Sequence, residues 1–108
     1  MVTEISLNTI CGHITKVVAT KEGKNIHVHI DTNCEKLKKW GTDFDMETED
    51  LMGGPKTLLA RKTEKAPLTP TCFVPATVMN ACWLENGMIS KNLARKMGKM
   101  EIIYDKLE

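Results

Sequence analysis

Two alternating segments joined by a glycine turn constrain this chain more than anything else in it. Ile14–Lys21 and Lys24–Asp31 flank Glu22-Gly23. Gly23 takes a positive φ at little cost, so the spacing predicts an antiparallel hairpin. Successive side chains of a strand point to opposite faces. In the second strand Ile26, Val28 and Ile30 therefore share one face, and His27, His29 and Asp31 share the other. A sheet with one apolar and one polar face is covered on one side and open to water on the other.

Thr3–Asn8 alternates in the same way, with Ile5 and Leu7 together, and Lys99–Asp105 reads as a last strand with Met100, Ile102 and Tyr104 on one side. The middle of the chain reads as helices. Asp31, Thr32 and Asn33 offer N-caps for a short helix over Cys34–Trp40, which Gly41 ends. Acidic Thr42–Asp50 reads as the start of another helix, broken by Gly53-Gly54. Pro55 opens Lys56–Lys65. Ala66–Thr71 is held extended by its prolines. Pro75 opens Ala76–Glu85, which Asn86-Gly87 closes, and Ser90 caps Lys91–Met97. Strands, then helices, then a strand predict an α+β fold: a two-layer arrangement with an antiparallel sheet of about four strands and helices on one face, residues 1–108 forming a single domain.

Charge excludes several roles. Fifteen Lys and Arg against fourteen Asp and Glu leave a net charge of +1. A protein held to nucleic acid or a membrane surface by bulk charge is usually far more basic. Aromatic content of 5% is low for a base-stacking platform. Lys36, Lys38 and Lys39, and Lys91, Arg95, Lys96 and Lys99, read as solvated surface. No apolar run is long enough to span a bilayer, and Met1–Ile5 carries an acid where a signal peptide has bases, so a cytoplasmic protein is expected. Gly53-Gly54-Pro55-Lys56 lacks the full phosphate-loop pattern.

The four cysteines are the chemical lead. In a reducing compartment they stay free, and none forms a Cys-x-x-Cys pair. Cys82, four residues after Val78 on a helix, reads as a small core residue. Cys11, Cys34 and Cys72 fall instead at element boundaries: before the hairpin, at a helix start after it, and just ahead of Pro75. The positive end of a helix lowers the pKa of a nearby thiol. Three thiolates at one end of a sheet would suit zinc or an iron–sulfur cluster, with Cys11, Cys34 and Cys72 as metal ligands and His13 a candidate fourth. His27 and His29 lie on the solvent face and read as surface.

Ile10-Cys11-Gly12, Asn33-Cys34, Cys72-Phe73-Val74-Pro75-Ala76 and Glu85-Asn86-Gly87 together resemble a family of small proteins, about 100 residues long, from anaerobic archaea and bacteria. The resemblance implies a cytosolic α+β protein with three recurrent cysteines and assigns no activity. Cys72 alone is also similar to the Cys-Pro-x-Pro thiol of small sulfur-carrier proteins, although Phe73 stands where the first proline would be.

The leading expectation is thus a metal- or iron–sulfur-binding protein serving storage, delivery or structural support. The alternatives are a sulfur carrier or redox protein centred on Cys72, with Cys34 or Cys11 resolving and His13 as base, or a non-catalytic interaction module with buried cysteines. The expected partner is another protein, a homodimer included, rather than nucleic acid or a membrane.

Overall fold

The computed structural model describes residues 1–108. Four strands, β1 (Val2–Asn8), β2 (Ile14–Glu22), β3 (Asn25–Thr32) and β4 (Asp43–Met46), form one antiparallel sheet in the order β1-β2-β3-β4. Four helices accompany them: α1 (Glu35–Trp40), α2 (Leu58–Lys65), α3 (Val74–Glu85) and α4 (Lys91–Met97), with a short 3-10 helix at Thr48–Met52. The result is the α+β architecture that the alternation demands. No helix is long and apolar enough to cross a membrane.

The hairpin follows its sequence closely. Glu22 pairs with Asn25 across the turn, and Gly23 has φ +63°. Val17, Ala19, Ile26, Val28 and Ile30 are buried on one face of the sheet. Helix α3 lies over that face, mainly against β1 and β2. Its buried residues are Val74, Thr77, Val78, Ala81, Cys82 and Glu85, a stripe in which each residue has another three or four positions away. Ala81 and Cys82 are small residues on that stripe and are fully buried, like Ala19 of β2. Fully burying each valine or isoleucine contributes about 1.5–3 kcal/mol, so this two-layer contact is the main source of stability. Fourteen buried apolar residues form one cluster that also takes in Leu37 and Trp40 of α1, Met46 of β4, Leu51 and Leu59.

Three segments differ from the sequence expectation. Thr42–Asp50 is not a helix start; it holds β4 and the first part of the 3-10 helix. Asp43, Phe44, Asp45 and Met46 alternate, and His29 and His27 stand directly opposite the two aspartates. Cross-strand hydrogen bonds from the two histidines offset the low strand propensity of aspartate. Helix α2 begins at Leu58 with Thr57 as its cap, not at Pro55, because the Thr57 hydroxyl accepts from Ala60 N and Asp50 Oδ1 accepts from Leu58 N. The largest difference is the C-terminus. Lys99–Asp105 alternates like a strand but is not one, and residues 98–108 are exposed and in no helix or strand. Alternation prepares a segment for a ladder, but a ladder also needs a partner edge, and residues 99–105 form no backbone hydrogen bond with the rest of the chain.

Candidate functional site

The register fixes which loops share an end of the sheet. Asn8 pairs with Ile14, and Thr15 with Thr32, so the β1–β2 loop and the β3–α1 junction open at the same end. At the opposite end, Glu85 closes α3 against Thr3 and Lys21. The start of α3 is therefore at the first end. The Cys11 loop and the Cys34 junction lie at this end, and the turn that carries Cys72 leads into the start of α3.

Two hydrogen bonds tie the three cysteine segments in series. His13 Nδ1–H donates to Asn33 Oδ1 at 2.8 Å, joining the Cys11 loop to the residue before Cys34. Lys36 Nζ donates to Thr69 Oγ1 at 3.2 Å, joining α1 to the turn that carries Cys72. In that turn Cys72 N–H donates to Thr69 O at 2.8 Å.

The three thiols differ in setting. Cys11 is exposed, and Thr9 Oγ1 lies 2.7 Å from its sulfur. The Thr9 hydrogen bond, with backbone help at His13, pulls the Cys11 thiol below its ordinary pKa because both bonds favour the thiolate. Cys34 is half-buried and forms the N-cap residue of α1, with its N–H donating to Thr32 Oγ1, but its side chain makes no cap bond. Cys72 is half-buried, two residues before α3, and packs against the core cluster. All four cysteines are free. Cys82 is fully buried, and burial, followed by the charge of Glu85, pushes its thiol up to about 12. It is core, as its helical spacing suggested.

The three segments converge, but as they stand no three His, Cys, Asp or Glu side chains are grouped to hold one metal ion. Next to Asn33, the open face of the sheet has a shallow depression of about 330 Å³ lined by Ser6, Ile14, Lys16, Asp31, Thr32 and Asn33. Lys16 and Asp31 are register partners, so the depression is floored by opposite charges.

Two features escaped the sequence reading. On the open face His27 Nδ1–H donates to Asp45 Oδ1 at 2.9 Å, and His29 Nδ1–H to Asp43 Oδ1 at 2.8 Å. The Asp45 bond raises the pKa of His27, and the His29 bond lowers that of Asp43. Alternation in Asp43–Met46 was the available signal. The other is Glu85, whose side chain is fully enclosed. It accepts from Thr3 Oγ1 at 2.9 Å, Lys21 N at 3.0 Å and Lys91 Nζ at 3.1 Å. Burial opposes its ionisation, but the three donors outweigh burial and its pKa falls below the usual glutamate value. A glutamate at a helix end carries no sequence mark that separates this role from a surface one.

Residues 3–97 match a family of unknown function, DUF6951. The chain belongs to that family. The match takes in β1 through α4 and all four cysteines. No curated protein and no solved structure matches the chain. Membership of DUF6951 accords with the resemblance to a family of small proteins and adds no reaction to it.

Proposed function

We propose that this DUF6951 protein binds a soft metal ion or an iron–sulfur cluster through Cys11, Cys34 and Cys72, gathered at one end of its sheet as the ion binds. The observation that carries this reading is the pair of bonds, His13 to Asn33 and Lys36 to Thr69, which link the three cysteine segments. Thiolates select zinc or iron–sulfur chemistry over magnesium or calcium. The Thr9 hydrogen bond lowers the Cys11 pKa and the residue stands on an exposed loop, so it is the ligand free to close on the others. A site completed by its ion couples binding to local ordering, as in small metal-dependent domains.

The test is anaerobic purification followed by measurement of zinc, iron, sulfide and the visible spectrum. The expected result is about one metal or cluster per chain or per dimer, lost in Cys72→Ser and in Cys11→Ser. Protein that stays metal-free after reconstitution with zinc, or with iron and sulfide, overturns the reading.

A thiol redox or sulfur-transfer role is the second reading, and the setting of Cys11 favours it. An exposed thiol with a depressed pKa is the form that attacks a disulfide or accepts a persulfide. This moves the reactive position from Cys72, where the sequence placed it, to Cys11. Metal-free protein with one fast-reacting thiol at Cys11 supports this reading, and four slow thiols remove it.

A further inference from the structure

The edges of the sheet are unequal. β4 is four residues long and carries two aspartates, both of which discourage another strand from adding there. β1 is seven residues long, and none of its backbone groups is hydrogen-bonded on the side away from β2. Its inward residues Thr3, Ile5 and Leu7 are only half-buried, whereas their counterparts on β2, Thr15, Val17 and Ala19, are buried. The core is therefore left uncovered along the β1 edge.

The same chain carries an unpartnered strand-like segment. Beyond Gly98, whose N–H donates to Ala94 O, no backbone hydrogen bond is formed. Met100, Ile102, Ile103, Tyr104 and Leu107 are 62–87% exposed. Met100, Ile102 and Tyr104 fall on one side of an extended segment, and Lys99, Glu101, Ile103 and Asp105 on the other. Helix α4 at the root of this arm has no buried residue, and Leu93 and Met97, four apart, are exposed as well. The molecule extends 49 × 37 × 25 Å, long for its size.

We propose that the C-terminal arm, residues 98–107, adds as a fifth strand to the free β1 edge of a second copy of this chain, and that the reciprocal addition makes a two-fold, arm-exchanged dimer. Met100, Ile102 and Tyr104 then extend the helix-covered side of the partner sheet and close the core beside Ile5 and Leu7. The charged side of the arm continues the solvent face that carries Glu4 and Lys16. A two-fold exchange satisfies both copies with one kind of contact. The three inward side chains of each arm, at roughly 60–120 Å² each, supply from two arms about 360–720 Å² before the surfaces they cover are counted. Stable interfaces bury about 1,200–2,000 Å² in total.

The test uses the full chain. Sedimentation equilibrium at about 100 μM is expected to give twice the 12.1 kDa chain mass. Ile102→Asp is expected to raise the dimer dissociation constant on the order of 100-fold or more, because a carboxylate would be buried without a partner. That residue is exposed in the single chain, so the variant keeps its fold, checked by circular dichroism. In the wild type, isotope-filtered NMR on a mixture of labelled and unlabelled chains is expected to show contacts between arm and β1 across chains. A wild-type monomer overturns the proposal, and so does a dimer indifferent to Ile102→Asp. A monomer whose Lys99–Asp105 amides resist exchange places the arm on its own sheet and also overturns it.

Discussion

The two ends of the sheet are built on opposite terms. At one end a buried carboxylate, Glu85, joins β1, β2, α3 and the start of α4 through three donors, with no polar atom left unmatched. At the other, three cysteine segments are linked by two bonds between exposed side chains, and the thiols keep their freedom. A buried charge is costly unless every lone pair is used, so the Glu85 end tolerates little change. The thiol end depends on no such satisfaction and has room to rearrange. The buried, fully bonded carboxylate and the free thiols are thus separated along the strand direction.

The sharpest way to break this contrast is at Glu85. Glu85→Ala strips Lys21 N, Thr3 and Lys91 of their acceptor, and urea unfolding should show a loss of about 2–4 kcal/mol. The pH dependence has a definite sign. The folded pKa of Glu85 lies below its unfolded value of about 4.5. Its contribution is therefore complete above that value and is lost as pH falls through the folded pKa. Glu85→Gln should flatten the acid side of the stability curve, and an unchanged acid limb would mean that Glu85 does not hold this end.

Cysteine substitutions sharpen the contrast next. Cys82→Ser puts a hydroxyl into a fully buried apolar site and should cost about 1–3 kcal/mol, read by thermal unfolding. Cys11→Ser at the exposed loop should stay within about 0.5 kcal/mol. Equal losses at the two positions would erase the distinction between the ends.

Thiol kinetics follow. Ellman's reagent should modify Cys11 first, with a rate that rises at lower pH than for an ordinary cysteine. Cys82, pushed up to about 12 and buried, should react only on unfolding. Peptide mapping of partially labelled protein decides the order.

The smallest effect lies on the open face. His27 is raised above its usual 6.5 by Asp45, so its stabilisation is present below that value and fades as pH rises through the folded pKa. Both groups are well exposed, and surface pairs contribute little. The clean readout is therefore the NMR titration of His27, whose midpoint should fall in Asp45→Asn.

What the sequence revealed and hid follows from the same physics. The β2–β3 hairpin was legible because period-two alternation and the Gly23 turn are local signals, and Ser90 marked α4 for the same reason. That Cys11, Cys34 and Cys72 fall at element boundaries was readable, but whether their segments meet was not, because that depends on how α3 docks on the sheet. β4 was hidden because aspartate disfavours strands unless its cross-strand neighbours answer it, and His27 and His29 are 14 to 18 residues away. Lys99–Asp105 misled for the converse reason: its pattern is that of a strand, but a strand is a property of two segments. Glu85 was invisible because its partners Thr3 and Lys21 are distant in sequence.

That distance has a kinetic consequence. Each strand of the sheet pairs with its neighbour in the chain, β3 and β4 being joined through α1, so the sheet closes through local contacts, which form fast. The bond between Thr3 and Glu85 spans 82 positions. During synthesis, which proceeds from the N-terminus, all four strands emerge before the first residue of α3. Val17, Ala19, Val28 and Ile30 then stand as a bare apolar face until that helix arrives. The vulnerable species is the unfinished chain: a product arrested between Met46 and Val74 would present a twisted sheet with one sticky side, a substrate for chaperones and proteases that the finished protein never resembles.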